Sequence, residues 1–507
     1  MAPVKFFGRE AFQTPGAGYS FLPFRFIRLD DRMLVVNDVG EHLLIDLSIF
    51  AAFVERRLAS TTAEFKELKA HHFLYTSSSD SAIRLLSANY RSRRDFLTGF
   101  TKLHIFVVSL RCDHSCPYCQ VSRVSADKHR YDMSVETAER ALDLVFRSPA
   151  EALKIEFQGG EPLLNFERIR QIVLSAERRA NSSQRIVEFV IASNLAYLTD
   201  EILGFCREHE ILLSTSLDGP AHIHNANRPR PGANSYELAV QGISRARLAL
   251  GHDRVSALMT TTQLSLQQPE VIVDEYVAQR LNHIVLRPIS PYGFALKSRS
   301  RTGYETDAFI AFYKRALAYI IDLNRGGHFF VEGYARLLLT KMMTPFATGY
   351  VDLQSPAGAG INVAVYNYDG DVYATDESRM LAETGDQTFR MGNVHTDSYE
   401  DMFLGELIKT LATASCVESL PGCADCALNP FCGSDPVENY ATQGDFIGHR
   451  PTSAFCHRNM EIIKHLFRLY YAGDDLTRQI LLSWIAGVPR QELLRHPEGV
   501  GAPAGAR

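Results

Sequence analysis

The chain runs to 507 residues, 46% hydrophobic and 22% charged, with a net charge of -5. One core does not grow to that length, so two to four packed units are expected, and the mild acidity leaves no concentrated basic face for nucleic-acid phosphates. No run reaches the ~18 consecutive apolar residues of a membrane span, and residues 1–18 lack the apolar centre of a secretory signal, which predicts a cytoplasmic protein with no membrane partner.

Residues 1–18 read as a tail. Residues 24–28, 33–37 and 42–46 are short strand-like runs, punctuated by Asp30-Asp31 and Gly40. Two helical patterns follow: Phe50, Phe53, Val54 and Leu58 share a face of the first, while Phe65, Leu68 and Phe73 suit a second that Thr62 can cap. The basic run Arg91-Ser92-Arg93-Arg94 reads as solvated surface. Three strands and two helices make residues 19–98 a winged-helix-like module, of a size suited to binding.

From Leu103 strands alternate with helices. Strands are expected at 103–109, 153–158, 186–192, 212–217, 254–260 and 283–288, with helices between them at 135–146 behind a capping Ser134, 166–180, 200–209, 236–250 and 269–280. Such repetition implies an α/β unit of parallel strands with right-handed crossovers. Over 99–295 it predicts a partial (β/α)6 barrel, whose ligands lie at the carboxyl ends of the strands. Beyond 296 the alternation stops. Helices are expected at 306–324, 331–343 and 455–471, with a hairpin over 363–375 turning at Asp369-Gly370. Residues 296–475 thus form a third unit, and 476–507 a C-terminal helix and tail, rich in Gly, Ala and Pro from 495 and expected to be disordered.

The nine cysteines fall into two groups of short spacing and leave Cys206 alone in a helical stretch, where it reads as core filler. In a reducing compartment such grouping means metal or redox chemistry rather than disulfides. Cys112-Asp-His-Ser-Cys116-Pro-Tyr-Cys119 follows the first strand, and three thiolates on a four-iron cluster leave one iron open. The rival is a zinc site completed by His114, although zinc sites favour paired CxxC spacing. The second strand ends in Gln158-Gly159-Gly160-Glu161-Pro162, where glycines let backbone carbonyls approach a cationic amine and Glu161 adds negative charge. Ser193-Asn194 follows the third strand, and Ser216-Leu217-Asp218-Gly219-Pro220 the fourth. Arg228 offers a fork of donors to a carboxylate, Arg287 a weaker alternative, and Asp218 can equally hold its own loop.

With these motifs in place, residues 103–291 resemble the radical S-adenosylmethionine superfamily. The resemblance implies a [4Fe-4S] cluster on Cys112, Cys116 and Cys119 whose open iron is chelated by S-adenosylmethionine. One electron then cleaves the sulfonium to give a 5′-deoxyadenosyl radical, which takes a hydrogen atom from the substrate. By the same resemblance Gly159, Gly160 and Glu161 meet the methionine amine, Ser193 and Asn194 the ribose, Ser216 the cofactor, and Arg228 the methionine carboxylate. No catalytic acid or base is named by it.

The second group, Cys423-Ala-Asp-Cys426, Cys432 and Cys456, resembles the auxiliary iron–sulfur (SPASM) domain of peptide, sulfatase and quinone-cofactor maturases, against a zinc-ribbon alternative. A full domain of that kind carries cysteines for two clusters. Here Thr375 and Pro436 stand where two of them are expected, so a reduced domain with one auxiliary [4Fe-4S] cluster is predicted, Cys416 being spare or an exchanged ligand. Residues 19–98 resemble leader-peptide recognition domains, which bind a leader as an added strand. The run from Thr101 to Cys112, the hairpin at 366–371 and Arg379-Met380-Leu381 look most like the maturases of the His-Xaa-Ser repeat system. That implies a small precursor peptide with such repeats as substrate, a second radical maturase as partner, and an electron donor such as flavodoxin or ferredoxin. The rival readings are an anaerobic sulfatase-type maturase and a zinc-stabilised binding protein without catalysis.

Overall fold

A computed structural model describes residues 18–76, 80–119 and 127–495. The expected N-terminal tail, but for Gly18, and the Gly/Ala/Pro-rich end lie outside them. Near the N-terminus β1 (Phe24–Leu29), β2 (Arg32–Asn37) and β3 (His42–Asp46) pair antiparallel in chain order. This sheet is covered on both faces. Val35 and Ile45 pack with Phe53, Phe65, Leu68 and Phe73 in a local core, whereas Leu29, Leu34 and Val36 enter the main core.

Helix α1 (Leu47–Val54) stops short of Leu58 and leaves Val54 exposed, so the expected apolar face reduces to Phe50 and Phe53. In α2 (Ala63–Ala70) the Thr62 hydroxyl accepts from Phe65 N at 3.2 Å, the expected cap. Helix α3 (Ser81–Arg93) lacks an apolar period and was not anticipated. Its last arginine corrects the reading of the basic run. Arg93 is half-buried and donates to the carbonyls of Lys341 and Thr344 at 3.0 and 3.1 Å, while Arg94 pairs with Glu418.

Six parallel strands follow: β4 (Leu103–Ser109), β5 (Ala152–Gly159), β6 (Ile186–Ala192), β7 (Leu212–Ser216), β8 (Val255–Thr260) and β9 (Leu286–Arg287). They alternate with α4 (Val135–Val145), α5 (Phe166–Ser183), α6 (Asp200–Glu208), α7 (Ser235–Leu250) and α8 (Pro269–Ala278). Helix α4 shows why: Ala138, Ala141, Leu142 and Val145 share one buried face, and the Ser134 hydroxyl accepts from Thr137 N at 3.0 Å. The run 283–288 does not form one strand, because His283–Ile284 pairs instead with Val331–Glu332.

The hairpin, expected in a separate unit, extends this sheet. Strand β10 (Val363–Tyr366) lies parallel to β4, and β11 (Asp371–Tyr373) and β12 (Arg390–Asn393) follow antiparallel, giving nine strands. Behind them pack α9 (Thr306–Arg325), α10 (Gly333–Met343), α11 (Asp376–Glu383), α12 (Pro436–Gln443), α13 (Ala454–Ala472) and α14 (Asp475–Ala486), the last burying Trp484 completely. Among the described residues no helix is long and apolar enough to cross a membrane.

Candidate active site at the carboxyl ends of the strands

The exit of β4 and the end of β5 are held together by backbone. Gly160 N donates to Ser109 O at 2.8 Å and Glu161 N to Arg111 O at 2.7 Å. A Cβ on Gly159, at φ +153°, would stand 2.1 Å from Ser109 O, and one on Gly160 2.3 Å from Arg111 O, so only glycine permits this approach. Arg111 is clamped by both oxygens of Asp132, at 2.7 and 2.6 Å, which fixes where the cysteine loop leaves the strand.

These strand ends open on a cavity of about 270 Å³. Its wall carries Cys112, Cys116 and Cys119 together with Gly159, Gly160, Ser193, Asn194, Ser216 and Arg228. Of the predicted first-site residues, only Glu161 is not on that wall. Its carboxylate is buried and accepts from Leu163 N at 3.0 Å, Ser193 Oγ at 2.7 Å and Asn194 N at 2.8 Å. Burial outweighs those donors and pushes its carboxyl up to about 7. Glu161 therefore ties the end of β5 to the loop after β6.

Asn194 donates to Asp113 Oδ1 at 3.0 Å, and Arg230 to Asp113 Oδ2 at 3.1 Å. The His114 ring nitrogen Nδ1 lies 2.7 Å from Asp113 and 2.9 Å from Asn194 Nδ2. Thus Asp113 and His114 brace the cysteine loop. Arg228 is engaged likewise: Nε and Nη2 donate to Asp218 at 3.0 and 3.2 Å, and the Tyr118 hydroxyl and Thr260 N donate to the same carboxylate. Burial alone would raise the Asp218 carboxyl, but Arg228 and His224 outweigh it and hold the group below its ordinary range.

The three cysteines fit a three-thiolate cluster. Cys116 sits within the field of both Cys112 and Cys119, and burial pushes its thiol up to about 12. Arg287, the weaker candidate for a carboxylate, lines the same wall, and sequence reasoning missed Glu156, Asp376 and Met380 there. The inward parity of Glu156 with Gln158 along β5 was a usable signal; Asp376, next to Thr375, had none.

In the second group Cys423, Cys426, Cys432 and Cys456 converge closely enough to act on one another's thiols, while Cys416 turns aside to donate to Glu418 at 3.3 Å. The Thr375 hydroxyl accepts from Ser378 N at 3.1 Å and so caps α11. Pro436 opens α12, capped by Asp435. Neither departure position offers a thiolate.

Residues 106–274 match the Radical SAM superfamily. The radical SAM cyclopropyl synthase TigE of Paramaledivibacter caminithermalis is 26% identical over 150 residues, 27% of this chain and 31% of that protein. Among solved structures, native anSMEcpe with bound AdoMet superposes with TM-score 0.60 at 17% identity, covering 72% of this chain and 97% of that one. Streptococcus suis SuiB bound to precursor peptide SuiA gives 0.51 at 14% identity, covering 86% and 99%. These likenesses establish the fold, and the match to the Radical SAM superfamily is carried by residues 106–274.

Proposed function

We propose that the protein modifies a ribosomally made precursor peptide by radical chemistry. The carrying observation is that Cys112, Cys116 and Cys119 share one cavity wall with Gly159, Gly160 and the loops after β6 and β7. Those thiolates would hold a [4Fe-4S] cluster, which together with bound S-adenosylmethionine would supply radical hydrogen-atom abstraction from the substrate. The protein's part is placement. Gly159 and Gly160 leave room for backbone approach, Ser216 and Asn194 offer polar contacts to the nucleoside, and Glu161 and Asp218 hold the loops that carry those contacts. Cys423, Cys426, Cys432 and Cys456 suit one auxiliary cluster.

The anaerobic sulfatase-maturating and SuiB folds both support a polypeptide substrate, and the sequence resemblance favours one with His-Xaa-Ser repeats. Residues 19–98 then hold its leader, with a second radical maturase and a flavodoxin- or ferredoxin-like donor as partners. The test is anaerobic reconstitution with iron and sulfide analysis, together with mass spectrometry of the peptide coexpressed with the enzyme. About eight irons per chain are expected for two four-iron clusters. Replacing Cys112, Cys116 and Cys119 with Ala should remove about half of that iron and all 5′-deoxyadenosine formation. Undiminished formation in the triple variant would overturn the assignment. Oxidation of a sulfatase Cys or Ser, with the repeat peptide unchanged, would favour the sulfatase-type reading.

A further inference from the structure

Arg450 is a buried guanidinium that the protein leaves unanswered. The residue is 8% exposed, and its Nε and Nη2 are buried without a hydrogen-bond partner. Among the described residues it forms no ion pair. A guanidinium stays charged when buried, and a buried charge is tolerated only beside an opposite charge and acceptors for its N–H groups.

Its place in the chain says which anion. Arg450 opens the short turn Arg450–Thr452 ahead of α13: Ser453 N donates to Arg450 O at 3.2 Å, and the Ser453 hydroxyl caps the helix by accepting from Cys456 N at 3.2 Å. On its other side the Arg450 stem lies over Gly422, where an added Cβ would stand 3.1 Å from Arg450 Cγ. Gly422 immediately precedes Cys423. Arg450 thus bridges the two ends of the second cysteine group. Burial pushes the Cys423 and Cys456 thiols up, and at both of them the Arg450 charge pulls the other way.

The other charges that act on these thiols are already engaged. Glu418, which acts on Cys423, is paired with Arg94 and accepts from the Ser355 hydroxyl. Lys464, which acts on Cys456, donates to Glu461 at 3.4 Å, and Lys341, beside Cys432, donates to the carbonyls of Leu353 and Cys432. What remains for Arg450 is the four-thiolate site itself. Four thiolates outweigh the positive charge of a four-iron core, so a cluster there is anionic, becomes more so on reduction, and offers sulfur acceptors to N–H donors.

We propose that Arg450 is the charged partner of the auxiliary cluster, donating N–H bonds to its sulfurs and holding its reduction potential up. The inference rests on the auxiliary-cluster reading above. Its sign follows from charge, because a fixed cation stabilises the reduced, more negative state. The test is an anaerobic potentiometric titration with dithionite of the full chain carrying both clusters, followed by electron paramagnetic resonance. The signal that added S-adenosylmethionine alters belongs to the cysteine-loop cluster, and the other is the auxiliary one. Arg450→Met should lower the auxiliary midpoint by a tenfold or greater shift in the reduced-to-oxidised ratio, about 59 mV for one electron, with iron content and the first cluster's midpoint unchanged. Arg450→Lys keeps the charge and should shift the midpoint less. A smaller shift in Arg450→Met, or an equal one at both clusters, would overturn the proposal. Should Arg450→Met lose the auxiliary iron, the wild-type chain grown on isotope-labelled arginine decides: the reduced auxiliary cluster should show hyperfine coupling to a guanidinium nitrogen that Arg450→Lys removes, and its absence overturns the proposal. A wild-type chain with no iron on the second cysteine group defeats the auxiliary-cluster reading and this inference with it, whereas iron there with an unmoved midpoint defeats this inference alone.

Discussion

Arg228 illustrates how a donor that suits a ligand can be claimed by the protein. Its fork is bidentate to Asp218, whose other contacts come from Tyr118 in the cysteine loop and Thr260 at the end of β8. Asp218 thus joins three strand ends through one buried charge. Arg228→Ala leaves that charge uncompensated, and a loss of about 3–5 kcal/mol in unfolding free energy is expected, partly restored by adding Asp218→Asn. Anaerobic denaturant unfolding measures it. Full stability with loss of S-adenosylmethionine affinity alone would show instead that the fork faces the cofactor. The positions of the cysteines and of Gly159-Gly160 were legible in sequence, because short spacing confines them to one loop and one strand end. The role of Glu161 was not, since the short turn Pro162–Asn165 directs its carboxylate toward Ser193 and Asn194.

The start of α11 is where an element replaces chemistry. Thr375 and Ser378 exchange backbone and side-chain bonds in a capping box: Ser378 N donates to the Thr375 hydroxyl at 3.1 Å, and Thr375 N to Ser378 Oγ at 2.9 Å. Thr375→Ala should cost about 1 kcal/mol, measured as a lower melting temperature, with Thr375→Ser close to wild type and iron content unchanged in both. Loss of a whole cluster's iron from Thr375→Ala would mean that the hydroxyl is a ligand. At this scale the strands 103–109 and 186–192 could be read because each is a continuous β-prone run between turn signals. The split at 283–288 could not, because the pairing of His283–Ile284 with Val331–Glu332 is decided by residues more than forty positions away. The hairpin's addition beside β4 is likewise a long-range choice that its local Asp369-Gly370 turn does not encode.

The N-terminal sheet is joined to the rest of the molecule by buried polar contacts as well as by Leu29, Leu34 and Val36. In β3 the buried His42 ring bonds through Nδ1 to the Tyr471 hydroxyl at 2.8 Å and faces Met342 O through Nε2 at 3.2 Å. Its edge-on packing against Phe467, at 4.9 Å between centroids, removes it further from water. Burial lowers its pKa to about 4, below the 6.5 of an exposed imidazole. The folded form therefore resists a proton that the unfolded chain accepts, so the contribution of His42 is complete above pH 6.5 and is lost as pH falls toward 4. For a shift of that size the loss is on the order of 3 kcal/mol. His224, also lowered to about 4 by burial, adds to it within the strand–helix unit. The expected outcome is an acid-weakened joint between residues 24–75 and the helices α10 and α13. Hydrogen exchange on the full chain between pH 7 and 4.5, corrected for the intrinsic rate, should show falling protection in β3. His42→Gln keeps a donor for Met342 O but cannot titrate, and should retain more of that protection. An identical fall in the variant would assign the acid sensitivity to other groups.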